Sequence, residues 1–347
     1  MSIWGQVMWR PVVSLKKLTR MGLSQVMVGV GMARASRKFY PKNGATIFYG
    51  HRVTDDDEGC LQGVRPSWLA EQLDYLSRHY HFISLSTLID YYERRESIPP
   101  NSVVMTFDDG FRDNFTNAYP ILQQYHVPAT VFLATGCVSS GDLPWPQQVG
   151  YLFQKTKVDQ VCHTTTRQIP VRLKSSRDRH AARATVREVL GRMPRAERER
   201  CVAELSELLQ VDTPRDRMLT WDQVKTMQNG GVEFGAHSFS HPWMPLLSSE
   251  EARWEMEASL HDIQRRCGVT RPPFAFPAGL RTADLVKMAI SVGFRSVFQT
   301  HHNLRVNQIG VNDQFSLSRM GLPNAPGIIF QAELDGPFHA LRKLYRS

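Results

Sequence analysis

Two clusters of side chains in this 347-residue chain have the types and spacing that reaction chemistry needs. In the first, Thr106-Phe107-Asp108-Asp109-Gly110, the apolar run Val103-Val104-Met105 ends in two adjacent carboxylates and a glycine that lets the chain turn away. Such a run is the tip of a buried strand, the end at which α/β folds bind ligands. Consecutive strand positions face opposite sides, so Asp108 and Asp109 meet different surroundings and can divide one reaction between them. Two aspartates there also suit a turn or a helix N-cap. The second cluster, His237-Ser238-Phe239-Ser240-His241, follows the glycine-punctuated segment Gly231-Val232-Glu233-Phe234-Gly235-Ala236. Histidines four apart meet on one helical face or converge from a tight turn, which is how two imidazoles reach one metal. Two His and one carboxylate leave coordination positions open for water and substrate, as a catalytic zinc or similar divalent ion requires.

At these two clusters the sequence resembles the polysaccharide deacetylase family, also called the NodB-homology domain or carbohydrate esterase family 4. That family's first motif is Thr-Phe-Asp-Asp-Gly and its second His-Ser/Thr-x-x-His. A third, a Pro-x-Gly loop after a strand, fits Phe276-Pro277-Ala278-Gly279, and the resemblance runs from about Ala45 to Pro323. It implies a hydrolase that removes N-acetyl groups from the amino sugars of a glycan or glycan precursor. Asp108 would be the general base, and Asp109, His237 and His241 would hold a divalent metal ion, Zn2+ first among them. The backbone N–H of Ala278, between Pro277 and Gly279, would steady the oxyanion. An O-acetyl esterase and a deformylase acting on a lipid-linked sugar use the same oxyanion chemistry, and an inactive barrel that binds carbohydrate is the non-catalytic alternative.

The chain departs from the family pattern twice. An arginine that often pairs with the base, two residues before the third-motif proline, is replaced by Ala275. Arg319, in Phe315-Ser316-Leu317-Ser318-Arg319-Met320 at the end of the last barrel strand, is the candidate to take its place; a solvated arginine on an edge strand is the other reading. The late Leu-x-His motif that carries the general acid has no clear copy, and His301, beside His302, is the candidate from another loop. His51, in Tyr49-Gly50-His51, and Trp243, two residues past His241, are candidates to face substrate, although core packing is the ordinary fate of a tryptophan.

Hydrophobic segments recur at Thr46–Tyr49, His81–Leu85, Val103–Phe107, Thr130–Ala134, Val232–Ala236, Phe274–Phe276, Ser296–Gln299 and Phe315–Met320. Helical patterns lie between several of them, such as Trp68 to Leu76 and Trp254 to Ile263. Alternating strand and helix imply a parallel sheet, and the resemblance implies an α/β fold, a distorted (β/α)7 barrel with a helical insertion and a basic N-terminal arm. The expected organisation is an arm over residues 1–40, a barrel over 41–330 with an insertion at 141–219, and a tail over 331–347. Within the insertion, Asp178 to Leu209 reads as two helices that part near Met193-Pro194, where proline suits a helix start. Their Arg-rich faces read as solvated, with an anionic glycan or a lipid pyrophosphate as the sharper alternative.

Net charge is +9, but residues 1–40 carry seven Lys or Arg and no acid, and residues 151–220 carry fifteen basic and nine acidic residues. The remainder is therefore acidic at −4, which argues against nucleic acid as a partner at the active site; the expected partner is carbohydrate. The uncharged run Met21 to Ala33 is 13 residues long, too short to span a bilayer. With Trp4, Trp9 and the flanking bases it fits an arm lying on an anionic membrane surface. A weak secretion signal ending near Ala33-Arg34-Ala35 is the competing reading. Five scattered cysteines, Cys60, Cys137, Cys162, Cys201 and Cys267, read as free thiols, and the expected location is the cytoplasm, in contact with the membrane.

Overall fold

A computed structural model describes residues 15–39, 42–56, 63–162, 171–301 and 306–336. Seven parallel strands follow one another around a barrel in chain order: β1 (Ala45–Gly50), β2 (Ser102–Asp109), β3 (Ala129–Leu133), β4 (Glu233–Ala236), β5 (Phe274–Ala275), β6 (Val297–His301) and β7 (Leu317–Gly321). Strand β1 pairs with β7, setting Ile47 opposite Arg319, and with β2, setting Phe48 opposite Met105, so the ring of seven strands closes on itself. All eight residues of β2 and all five of β3 are buried, because helices cover the outside while side chains fill the inside. This is the expected distorted (β/α)7 barrel.

One hydrophobic segment departs from expectation. Of His81–Leu85 only His81–Phe82 is extended, and it pairs with the beginning of β2 outside the closed ring. The reason is local: the Ser84 side chain accepts the Thr87 N–H at 3.1 Å and caps a helix, Leu85–Arg94, whose Leu85, Leu88, Ile89 and Tyr92 repeat at helical spacing and are buried. The helical patterns become Pro66–His79 and Ser249–Cys267, the latter opened by a capping box between Ser248 and Glu251.

Among its described residues the insertion holds three helices, Trp145–Lys155, Ser176–Leu190 and Arg195–Leu209, with Pro194 as the N-cap of the third. Its apolar faces close on a core of their own that includes Trp145, Leu152, Phe153, Val186, Leu190, Leu205 and Leu209. Contacts divide the chain into two units, one of residues 42–324 and a second that joins the first residues to those from 325 onward. In the second, helices Leu15–Gly29 and Met32–Phe39 pack with Gly327–Asp335, and Arg37 Nη1 lies 3.2 Å from Asp335 Oδ2. Leu23, Val26 and Val30 are exposed there, and no helix of the described residues is long and apolar enough to cross a membrane. Trp4, Trp9 and Cys60 lie outside the described residues, among which Cys137 and Cys267 are free thiols.

Candidate active site

Asp108 and Asp109 end β2 almost fully enclosed, at 2% and 0% exposure. Asp108 receives a two-pronged contact from Arg319: Nη1 donates to Oδ1 at 2.6 Å and Nη2 to Oδ2 at 2.8 Å. Nη1 also reaches Thr106 Oγ1 at 3.3 Å, and the Thr106 hydroxyl donates to the Phe48 carbonyl at 2.7 Å. The guanidinium lies 5.1 Å from the ring centres of both Tyr49 and Phe132. Strand closure produces this: β7 lies beside β1, not at an edge, so its inward arginine is buried and must find a carboxylate. Burial pushes the Asp108 carboxyl up, but Arg319, and after it His237, outweigh burial and hold it below the ordinary carboxylate range.

Asp109 faces two histidines. Its Oδ1 lies 3.2 Å from His241 Nε2 and 3.4 Å from His237 Nε2, and that oxygen is buried with no hydrogen-bond partner. The His237 Nδ1–H donates to the Ala275 carbonyl at 2.8 Å, which fixes the tautomer and turns Nε2 toward Asp109. The pair sits on a tight turn after β4 rather than on a helix, with Ser238 at φ 64° and His241 at φ 57°. Asp109 itself has φ 73°, so it has already left the pleat and strand alternation alone does not aim it. Non-glycine residues rarely hold such angles unless surrounding contacts over-determine them. Those contacts are present: Glu255 Oε2 accepts the Phe239 and Ser240 N–H groups at 2.9 and 2.8 Å, and Trp145 Nε1 donates to the His241 carbonyl at 3.0 Å. Gly110, at φ 83°, holds a conformation that strains any other residue, and a Cβ there would fall 2.7 Å from Leu133 Cδ2.

Asp109, His237 and His241 present three donor atoms within 4.8 Å of one another, all buried. Two imidazole nitrogens and one orphaned carboxylate oxygen suit a divalent ion of zinc type, because a buried oxygen without a donor is otherwise costly. Burial pulls the carboxyl of Asp109 up, yet His241, His51 and His237 outweigh it and keep the group below the usual range, ready to bind a cation.

Pro277–Gly279 form a single 3-10 turn after β5, with Ala278 at its exposed tip and φ 54°. Gly279 is required there, since a Cβ would fall 2.0 Å from Thr300 Oγ1. His51 stands exposed just past β1, edge-on to Tyr49 at 5.7 Å, with its carbonyl held by Asn114 Nδ2 at 2.7 Å. Trp243 is only half open, packed against the insertion core and edge-on to Trp145 at 5.4 Å, so the structure gives it a packing role rather than a free sugar-stacking face. His301 ends β6, opposite Met320, but its side chain, like the whole of His302, lies outside the described residues. A cavity of about 1060 Å³ lies apart from the triad, between Arg195–Leu209 and Thr135–Ser140, and its Arg195–Glu199 and Arg215–Asp142 pairs already satisfy each other.

The enclosure of the triad has a measurable effect on the metal-free protein. Burial, the largest influence, pushes the His237 imidazole down from 6.5 to about 4, against the upward pull of Asp108. The unfolded chain then binds a proton that the folded chain refuses, so stability is fully present above about pH 6.5 and is lost as pH falls toward about 4. The loss is roughly 3 kcal/mol, at about 1.4 kcal/mol per pH unit of displacement. Asp113 and Glu255, pushed up by burial, act in the opposite sense. Urea melts of chelated protein should therefore be compared with those of His237→Gln, whose profile is expected to be flatter across this window; parallel profiles would show that His237 does not titrate this way.

A protein-family model for polysaccharide deacetylases matches residues 95–297. The poly-beta-1,6-N-acetyl-D-glucosamine N-deacetylase of Escherichia coli K12 is 32% identical over 132 residues, 38% of this chain and 19% of that one. The enzyme of the same name from Staphylococcus epidermidis is 33% identical over 115 residues, 29% of this chain and 39% of that one. The chain thus spans between a fifth and two fifths of the length of these curated relatives. Among solved structures, IcaB from Ammonifex degensii superimposes with a TM-score of 0.57 at 18% identity, covering 85% of this chain and 97% of that one. The Streptococcus pyogenes deacetylase PplD in complex with acetate gives 0.55 at 18% identity, covering 84% and 97%. These structures agree with the barrel, and the family match contains the Asp108-Asp109 strand tip, both histidines and the Pro277–Gly279 turn. The chain belongs to the polysaccharide deacetylase family.

Proposed function

We propose that the chain is a metal-dependent N-deacetylase that hydrolyses the acetamido C–N bond of N-acetylglucosamine units in a glycan. The observation that carries this reading is the juxtaposition of two differently held carboxylates at one strand tip: Asp108 clasped by Arg319, and Asp109 open toward two imidazoles. A divalent ion held by Asp109, His237 and His241 would supply Lewis acidity to the acetyl oxygen and lower the pKa of a coordinated water. Asp108 would take a proton from the water that attacks the acetyl carbonyl carbon. Its basicity is limited by Arg319, but the same contact keeps the carboxyl ionised and aimed. The turn Pro277–Gly279 offers the Ala278 N–H to the developing oxyanion. The names of the Escherichia coli and Staphylococcus relatives support a β-1,6-linked N-acetylglucosamine polymer as substrate.

The test is acetate release from N-acetylated oligosaccharides, O-acetylated sugars and lipid-linked amino sugars, each with and without a chelator. Chelator-sensitive release from the N-acetylated oligomers is the expected result, with about one divalent ion per chain and most of it lost in His237→Ala. Activity that a chelator leaves untouched would sink the metal reading, and release from the O-acetyl esters alone would make the chain an esterase.

A further inference from the structure

The helix that opens the insertion, Trp145–Lys155, grips two of the three triad residues. Trp145 Nε1 donates to the His241 carbonyl at 3.0 Å, and two residues later Gln147 Nε2 donates to Asp109 Oδ2 at 3.3 Å. Asp109 is ionised and only accepts, so the Gln147 amide must present its NH2 group to it. The consequence falls on the other oxygen. With Oδ2 engaged, Oδ1 is left without a partner, and it is Oδ1 that lies 3.2 and 3.4 Å from the two Nε2 atoms. Gln147 Oε1 is also buried without a partner, so this side chain is held to its place by one bond, the one to Asp109. The helix is anchored independently: Pro144 and Pro146 flank Trp145 and fix its first turn, while Trp145, Val149, Leu152 and Phe153 are buried in the insertion core.

We propose that Gln147 is a positioning residue for the metal centre: by holding Oδ2 of Asp109 it fixes that carboxylate in the orientation that binds through Oδ1, making the insertion part of the catalytic unit. This rests on reading Asp109, His237 and His241 as the metal site. A ligating carboxylate that loses its outer hydrogen bond gains rotational freedom and a second competing oxygen, and such losses usually weaken metal affinity by about ten- to a hundredfold.

The experiment compares wild type with Gln147→Met, which keeps the volume and removes the donor, and with Gln147→Ala. Zinc affinity is measured by competition with a chromophoric chelator, the cobalt-substituted protein by its visible spectrum, and folding by melting of the metal-free protein. The expected result is zinc affinity lower by about ten- to a hundredfold in both variants, a changed cobalt spectrum and a near-normal melt for Gln147→Met. Zinc affinity within twofold of wild type and an unchanged cobalt spectrum in Gln147→Met overturn the inference, whatever the melting temperature does. Failure of the wild type itself to bind zinc or cobalt would instead overturn the metal reading on which it rests.

Discussion

Asp108→Asn is expected to lower kcat by about a thousandfold, within the 10²–10⁴ range of a lost general base, while leaving one metal ion bound per chain. The two readouts separate because the carboxylates have separate partners. Asp108 touches Arg319 and no member of the imidazole pair, whereas Asp109 touches the imidazoles and Gln147. The substitution also has a cost in stability. Asn offers one oxygen and one NH2 group where Arg319 now meets two oxygens, so one Arg319 N–H faces another donor inside the barrel and loses its partner, worth about 1–3 kcal/mol. Urea melts should detect that loss, and assays belong well below the new melting point. Full amide-hydrolysis activity in Asp108→Asn would show that the base is another group; loss of metal along with activity would show that Asp108, too, is a ligand.

How much of this was legible in the sequence depended on whether the information was local. The run Val103-Val104-Met105 into Asp108-Asp109-Gly110 announces a buried strand and its turn, because burial on both faces and the need for positive φ leave marks in residue type. The break at Pro194 is local in the same way. Arg319 could be named because Ala275 leaves Asp108 without the family's arginine and Arg319 ends the last barrel strand, but only barrel closure shows that this strand has no solvent edge. His81–Leu85 misled because short apolar runs do not distinguish strand from helix, and the Ser84 cap decided the matter. Gln147 left no signal, since an amide after Pro-Trp-Pro is ordinary until folding sets it against Asp109. Glu255 left a faint one: it interrupts the buried stripe of Ala252, Met256, Ser259 and Ile263, and a carboxylate there needs donors, which Phe239 and Ser240 supply from the histidine loop. Trp243 stayed open between substrate and core because a tryptophan near a site looks the same in sequence whether it packs or stacks.

Arg319→Met is expected to have the largest effect on stability, about 3–5 kcal/mol, because it strands the Asp108 carboxylate in an interior that gives it no other full charge partner of comparable reach. The chemical effect has a defined sign. Burial already pushes Asp108 up and Arg319 is the chief influence holding it down, so without the guanidinium the folded-state pKa rises. The acid limb of the kcat/KM profile, which reports the free enzyme's base, should then move to higher pH, and activity at neutral pH should fall while activity at alkaline pH partly returns. Arg319→Lys separates charge from geometry: a single ammonium restores part of the downward pull but not the two-pronged contact at 2.6 and 2.8 Å, so its limb should fall between the other two. If Arg319→Met retained the wild-type acid limb, Asp108 would be held by something other than Arg319, and the arginine missing at Ala275 would have a different replacement. The position itself explains why the charge sits on β7 in this chain. Ala275 belongs to a buried apolar cluster with Phe132, Phe298 and Leu317, and Phe132 is one of the two rings between which the guanidinium lies. A small residue on β5 and a long cation on β7 thus fill the same interior with one charge, which is as many as the single ionised Asp108 can neutralise.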